Sequence, residues 1–249
     1  MRTATLALIL AGCVAAATPA ADPPKPAADG WIELLKTGSD TPWKKVDPNW
    51  IVSDDVKLDP ANNRRLKAEK KDGGAVWVNG EKGRLPDLIT KQTFGDCEVH
   101  VEFLIAKGSN SGIKFHAVYE IQILDTYGTT KKLTGDSMGG IYPRAEDKPK
   151  YHHIDDGVPP RVNAAKPAGE WQSLDVVWKS PRFDDKGGKV ANAVVVKAVL
   201  NGQVVHENQE LKTPTGSNYV KKETPTGPFM LQSDHGPVAF RNVRIRAMK

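Results

Sequence analysis

Along most of this 249-residue chain the hydrophobic period is two. Cys97, Val99, Val101, Phe103 and Ile105 alternate with Glu98, His100, Glu102 and Leu104, the signature of a half-buried strand. Between Trp171 and Trp178, Leu174, Val176 and Trp178 share one face while Ser173 and Asp175 take the other. Ala193 to Leu200 is an almost unbroken apolar, β-branched run; Asn201-Gly202 follows, and Gln203-Val204-Val205-His206 resumes extended character. That pattern predicts a hairpin, because both central residues of such a turn take positive φ. Phe229 to Gln232 and Val238 to Ile245 read as the last strands, and Trp50–Val52, Arg65–Ala68 and Ala75–Val78 as earlier ones. No window carries a long amphipathic helix. Many short strands separated by turns predict an all-β sandwich or barrel. Thr129 to Pro167 is irregular, rich in Pro, Gly and charge, and is expected to lie over one end or face of the sheet as a functional or mobile loop.

The N-terminus departs from this pattern. Arg2, the apolar stretch Thr3–Val14 and the small residues Ala15–Ala20 predict a secretory leader over residues 1–20, with a Pro/Ala-rich tether over 21–30 and a single domain over 31–249. The expected location is the bacterial periplasm or the extracellular space. Leu10-Ala11-Gly12-Cys13 also resembles a lipobox, so a lipid anchor at Cys13, making a lipoprotein, stands beside soluble export, which is preferred. No other segment approaches the roughly 20 apolar residues that span a bilayer. The remaining cysteine, Cys97, falls on the apolar face of its strand and reads as a small buried hydrophobe. Net charge is +5, spread through the chain without a basic block, which argues against a nucleic-acid partner.

Candidate chemistry concentrates after the turn Gly108-Ser109-Asn110-Ser111-Gly112-Ile113, where Lys114, His116, Glu120, Gln122 and Asp125 follow on strand-like residues. Alternating polar residues of a strand project to one sheet face. Glu120 and Gln122 share such a face; Asp125 rejoins it only through a bulge. The spacing is similar to the Glu-x-Asp-x-x-Glu strand of laminarinase-like jelly-roll glycosidases, but Gln122 replaces the middle acid and Asp125 is shorter than the last. That weakens a double-displacement mechanism, which needs two carboxylates. His116 is a candidate base or an exposed strand histidine. His152-His153 with Asp155-Asp156 contains metal-ligand residue types at a spacing that matches no known site, so a solvated loop is the better account. Asp234-His235-Gly236 sits at a turn after a strand, and nearby Arg241 could stabilise an oxyanion. No Ser-His-Asp signature, phosphate loop or dinucleotide fingerprint is present.

Taken in order, Gly95–Phe103, Asn110–Ile113, Tyr119–Asp125, Gly139-Gly140-Ile141-Tyr142, Asn163–Trp171, Val199–Gly202, Gly227-Pro228, Leu231–Gly236 and Phe240–Arg246 resemble the 3-keto-disaccharide hydrolase domain family. The resemblance covers roughly Trp31 to Arg246. It departs at Ser233, inserted beside the Asp-His-Gly run, and at the charged insertion Pro143–Gly157; Lys114 and His116 fall where the family pattern varies. The resemblance implies a concanavalin-A-like jelly-roll β-sandwich of two antiparallel sheets with a concave sugar-binding face. It also implies cleavage, by hydrolysis or β-elimination, or hydration of 3-keto-glycosides. A ketone at C3 acidifies the C2 proton, so the path needs a base, an enolate stabiliser and an acid. The expected catalytic set is His235 or His116 as base, Arg241 or Lys114 at the oxyanion, and Glu120 and Asp125 as acid or sugar ligands. Gln122, Lys114, Ser111, Tyr127 and Asp234 are the expected substrate-binding residues. A divalent metal ion could replace the cationic side chain as electrophile. A lectin-like carbohydrate-binding module and an ordinary β-glucan hydrolase are the competing readings; a lectin would expose aromatic platforms, for which Trp31 and Trp43 are candidates.

Overall fold

The computed structural model describes residues 29–80 and 83–248; the leader, the Cys13 lipobox and nearly all of the tether lie outside the described residues. The strands that build the body are β1 (Ile32–Glu33), β2 (Ile51–Ser53), β3 (Val76–Val78), β4 (Leu88–Phe94), β5 (Cys97–Ile105) and β6 (Asn110–Phe115). They continue with β7 (Tyr119–Leu124), β8 (Gln172–Lys179), β9 (Ala193–Leu200), β10 (Gln203–Leu211), β11 (Gly227–Gln232) and β12 (Val238–Ala247). An eight-stranded sheet runs β10–β9–β8–β5–β12–β3–β2, with β1 also on β12. A four-stranded sheet runs β4–β11–β6–β7. All pairings within both sheets are antiparallel. The architecture is a jelly-roll β-sandwich. Among the described residues no helix is long and apolar enough to cross a membrane.

The two inner faces supply one core. Val99, Val101, Phe103, Leu174, Val176, Trp178 and Phe240 from the large sheet meet Ile113, Phe115, Tyr119, Ile121, Phe229 and Leu231 from the small one. Phe115 lies flat on Trp178, ring centroids 4.6 Å apart. Each such side chain, once buried, contributes roughly 1.5–3 kcal/mol, and the period-two pattern forces these residues inward together. Cys97 is buried, as expected, and so is Trp43, which therefore offers no sugar platform. Asn201 and Gly202 take φ of 51° and 81° at the β9–β10 turn. The Asn201 amide accepts from Ser173 N (2.9 Å) and donates to Ala164 O (2.8 Å).

The irregular segment does lie on the sheet. Residues 139–142 run beside β7: Gln122 N donates to Gly140 O (2.8 Å), Gly139 N to Gln122 O (2.8 Å) and Tyr142 N to Glu120 O (3.1 Å). Ile141 bridges Ile121 on one side and Val158 on the other. The loop thus covers an edge that would otherwise present unpaired backbone groups. Close approach requires glycine there, since a Cβ on Gly135 would fall 2.1 Å from Ile141 O.

Candidate active site

Parity decides what faces out of the small sheet. Ile113 and Phe115 point into the core, so Gly112 and Lys114 point the other way, as do Glu120 and Gln122, which alternate with Ile121 and Ile123. Lys114 and Glu120 are direct cross-strand partners. Their charged ends meet at 3.1 Å, with side-chain exposures of only 11% and 5%. Gly112 makes this possible: a Cβ there would sit 2.4 Å from Glu120 Oε1. Burial pushes the Glu120 carboxyl above its ordinary range, opposed by Lys114 and by His235, and reinforced by Asp87.

Three loops wall this floor. The Ser233–Pro237 loop after β11 carries Asp234 and His235, whose Nδ1 is bonded to the Asp234 carboxylate. The segment before β4 brings Asp87, whose Oδ1 accepts from Ser233 N (2.7 Å). Burial raises the Asp87 carboxyl; that hydrogen bond opposes the rise, and the Asp234 charge adds to it. The long loop supplies Asp136, which accepts from Gln122 Nε2 at 2.6 Å, and Tyr142. The Tyr142 hydroxyl lies 3.0 Å from both Tyr151 OH and His153 Nε2. Burial and the Tyr151 contact hold Tyr142 protonated far above the usual phenol range. The site therefore presents one ammonium on a buried carboxylate, an imidazole on a carboxylate, a protonated phenol, Tyr142, and a carboxyl, Asp87, whose proton affinity burial raises.

Of the residues expected from sequence, Lys114, Glu120, Gln122, Asp234 and His235 come together here. The others do not. Arg241 is on the opposite face of the large sheet: it follows core residue Phe240, bonds Glu102 through Nε (2.6 Å) and lies 4.0 Å over the Trp171 ring. Alternation along β12 excludes it from the groove. His116 is not on a strand but in the tight β6–β7 turn at φ 54°. It packs edge-on against Trp178, with Nε2 3.1 Å from the Ser180 hydroxyl, and burial lowers its pKa to about 4. Asp125 takes no bulge back to the face. Its Oδ2 accepts from Gly108 N (2.9 Å) and Lys107 Nζ (2.9 Å), closing the turn before β6. Ser111 has the parity of Ile113 and donates inward to Gln232 O (2.7 Å). Tyr127 is an exposed turn residue beyond β7, 52% accessible. Trp31 is covered by Arg244 and Arg246, 4.9 and 4.8 Å from its ring.

Sequence reasoning passed over Asp87, Asp136, Tyr142 and Tyr151, and set His153 aside as part of a solvated loop. Only Tyr142 had a signal, at the end of the Gly139-Gly140-Ile141 run; Tyr151 and His153 stand in the charged insertion. Among the described residues no three or more His, Cys, Asp and Glu side chains are grouped so as to hold a metal ion.

Over residues 28–246 the chain matches the 3-keto-alpha-glucoside-1,2-lyase-like domain. It belongs to that family. The 3-keto-alpha-glucoside-1,2-lyase-like domain thus spans both sheets and every groove residue named above. Similar solved structures include a putative glycosyl hydrolase of Parabacteroides distasonis, 26% identical over 72% of this chain and 74% of that one, with a TM-score of 0.55. A second of the same description and organism, 18% identical, covers 88% of this chain and 99% of that one at a TM-score of 0.51, a likeness of fold. No curated protein matches the chain. Family membership makes this a carbohydrate-active domain with carbohydrate as its partner.

Proposed function

We propose that the groove binds a 3-keto-glycoside and breaks its C1–O bond by elimination across C1 and C2. The observation that carries this reading is the pairing, on one groove face, of the Glu120-held Lys114 ammonium with the Asp234-held His235 imidazole. With the C3 carbonyl oxygen at Lys114, His235 Nε2 takes the C2 proton, since Nδ1 is occupied by Asp234. The electron pair moves into a C2=C3 enolate whose oxygen charge faces the ammonium in a site of low solvent exposure. The enolate collapses to the ketone, C1=C2 forms, and the C1–O pair leaves with the aglycone. The departing oxygen needs a proton, and the Tyr142 hydroxyl, held protonated by burial and the Tyr151 contact, supplies it; burial raises the proton affinity of the Asp87 carboxyl as well. In this reading Asp136, oriented by the buried Gln122 amide, takes the sugar hydroxyls. Addition of water across C1=C2, with His235 returning its proton, completes a net hydrolysis. No step requires a carboxylate nucleophile, which fits the amide at position 122.

The test offers the protein a 3-keto-glucoside and its unoxidised parent, in H2O and in D2O. Enone absorbance or deuterium at C2 with the keto sugar alone supports the proposal. Turnover of the parent replaces it with an ordinary glycosidase, and binding without turnover of either replaces it with a lectin-like module. Undiminished turnover by His235→Ala removes His235 from the path. The reading includes action outside the cytoplasm, following the leader expected over residues 1–20; cell fractionation, with a label for lipid on Cys13, checks it.

A further inference from the structure

Asp234 and His235 are about half exposed, at 48% and 50% of their side chains, and bond to one another. Their placement over the Lys114–Glu120 pair therefore rests on the backbone of the loop that carries them. That backbone is held from beneath by Asn79, just after β3 and 1% exposed. Both amide protons of Asn79 are used on the loop: Nδ2 donates to Ser233 O (2.9 Å) and to Gly236 O (2.8 Å). Its Oδ1 accepts from Val238 N (2.8 Å), and its own backbone N–H donates to Val238 O (3.1 Å). The amide orientation is unambiguous, because a flip would turn the NH2 toward an N–H and the oxygen toward two carbonyls. The two donations bracket Asp234 and His235 in sequence.

We infer that Asn79 is a positioning residue for the proposed reaction: from outside the groove it fixes the Ser233–Gly236 carbonyls and so the seat of His235. The inference rests on the reading of His235 as the proton acceptor. Asn79 contributes no atom to the groove contacts above, and its hydrogen bonds are satisfied within the fold, so it has no role as a ligand. The other loop anchors each hold one point of the loop: Ser233 N donates to Asp87 Oδ1 (2.7 Å), Leu85 N to Ser233 O (3.2 Å), Arg84 NH1 to Asp234 O (2.9 Å), and Ala106 N and Ser109 Oγ to Pro237 O (3.2 and 2.8 Å). None of these groups spans the Asp234–His235 pair as Asn79 does. Asn79→Asp is nearly isosteric and keeps an acceptor for Val238 N, but it sets a carboxylate against two carbonyl oxygens, so the loop must lift. Displacement of a reacting group by about 1 Å costs on the order of 100-fold in rate.

The experiment compares wild type with Asn79→Asp, and with Asn79→Ser in case the first does not fold, each below its melting midpoint. It follows kcat and KM on a 3-keto-glucoside and the His235 imidazole resonance through a pH titration. The expected result is a fall in kcat of about 100-fold with KM within about 2-fold, together with a shifted or broadened His235 titration. A folded variant with wild-type kcat and a wild-type His235 titration overturns the inference. The imidazole readout needs no substrate, so failure of the wild type to turn over keto sugars refutes the proposed function while the titration still decides the role of Asn79.

Discussion

Removal of Lys114 leaves a buried carboxylate without its counter-ion, and the cost can be worked from the geometry. At 3.1 Å the attraction between Lys114 and Glu120 is about 5 kcal/mol at an effective dielectric of about 20. Desolvation of the two ions offsets most of that, so the intact pair adds little net stability. Lys114→Met removes the attraction and keeps the desolvation of Glu120, so unfolding free energy falls by about 3–5 kcal/mol at neutral pH. Glu120→Gln loses the charge on the other side and strands the ammonium, which is nearer solvent and costs less. The double variant, with neither charge, recovers at least about 2 kcal/mol relative to the sum of the singles. The pH dependence has a definite sign. The Glu120 carboxyl already binds its proton more tightly in the folded than in the unfolded state, and without Lys114 the difference grows. A carboxyl raised by folding stabilises when protonated and loses that stability as pH rises. The Lys114→Met deficit is therefore small near about pH 5 and widens toward about pH 8. Urea unfolding of the four proteins at several pH values measures this. Additive single effects, or a deficit independent of pH, would refute the reasoning.

Three further expectations follow from other positions. Gly112→Ala drives a methyl group into Glu120 Oε1; it is expected to cost about 1–3 kcal/mol in thermal or urea unfolding and to lower keto-sugar turnover at least 10-fold, and a variant with native stability and activity would show that the carboxylate has room to spare. His116 has its pKa lowered by folding to about 4, so its neutral form adds stability above the unfolded value of about 6.5 that is lost as pH falls toward 4; His116→Phe should flatten the stability profile across that window in acid unfolding, with the neutral-pH value measured alongside. On the outer face of the large sheet, His100 Nδ1 lies 2.6 Å from Asp175, which raises the histidine pKa. That contribution is present at acid pH and lost as pH rises through the folded pKa, so Asp175→Asn should destabilise by no more than about 1 kcal/mol near pH 6 and by nothing measurable near pH 9, Asp175 being largely exposed.

What the chain alone determined follows from local periodicity. The alternation in Cys97–Ile105 and Gln172–Trp178, the Asn201-Gly202 turn and the absence of any helical stripe specify antiparallel strands with one buried face, because side chains alternate along a strand whatever it pairs with. For the same reason Glu120 and Gln122 could be placed on one face without knowing the fold. The parity rule also carried unused information: Phe240 in the apolar alternation sends Arg241 to the far side of the sheet. His116 was misplaced because a β-like stretch gives no warning of a turn in which two non-glycine residues, His116 and Ala117, adopt positive φ. Asp125 was misplaced because a carboxylate that closes a turn looks the same in sequence as one that faces a sugar. Only the tertiary structure brought Asp87, Asp136, Tyr142 and the Asp234–His235 pair to the floor formed by β6 and β7. Those residues arrive on loops up to about a hundred positions away. Their convergence depends on how the two sheets stack, how residues 139–142 pair with the β7 edge, and how Asn79 seats the 233–236 loop. None of these is a property of a local window.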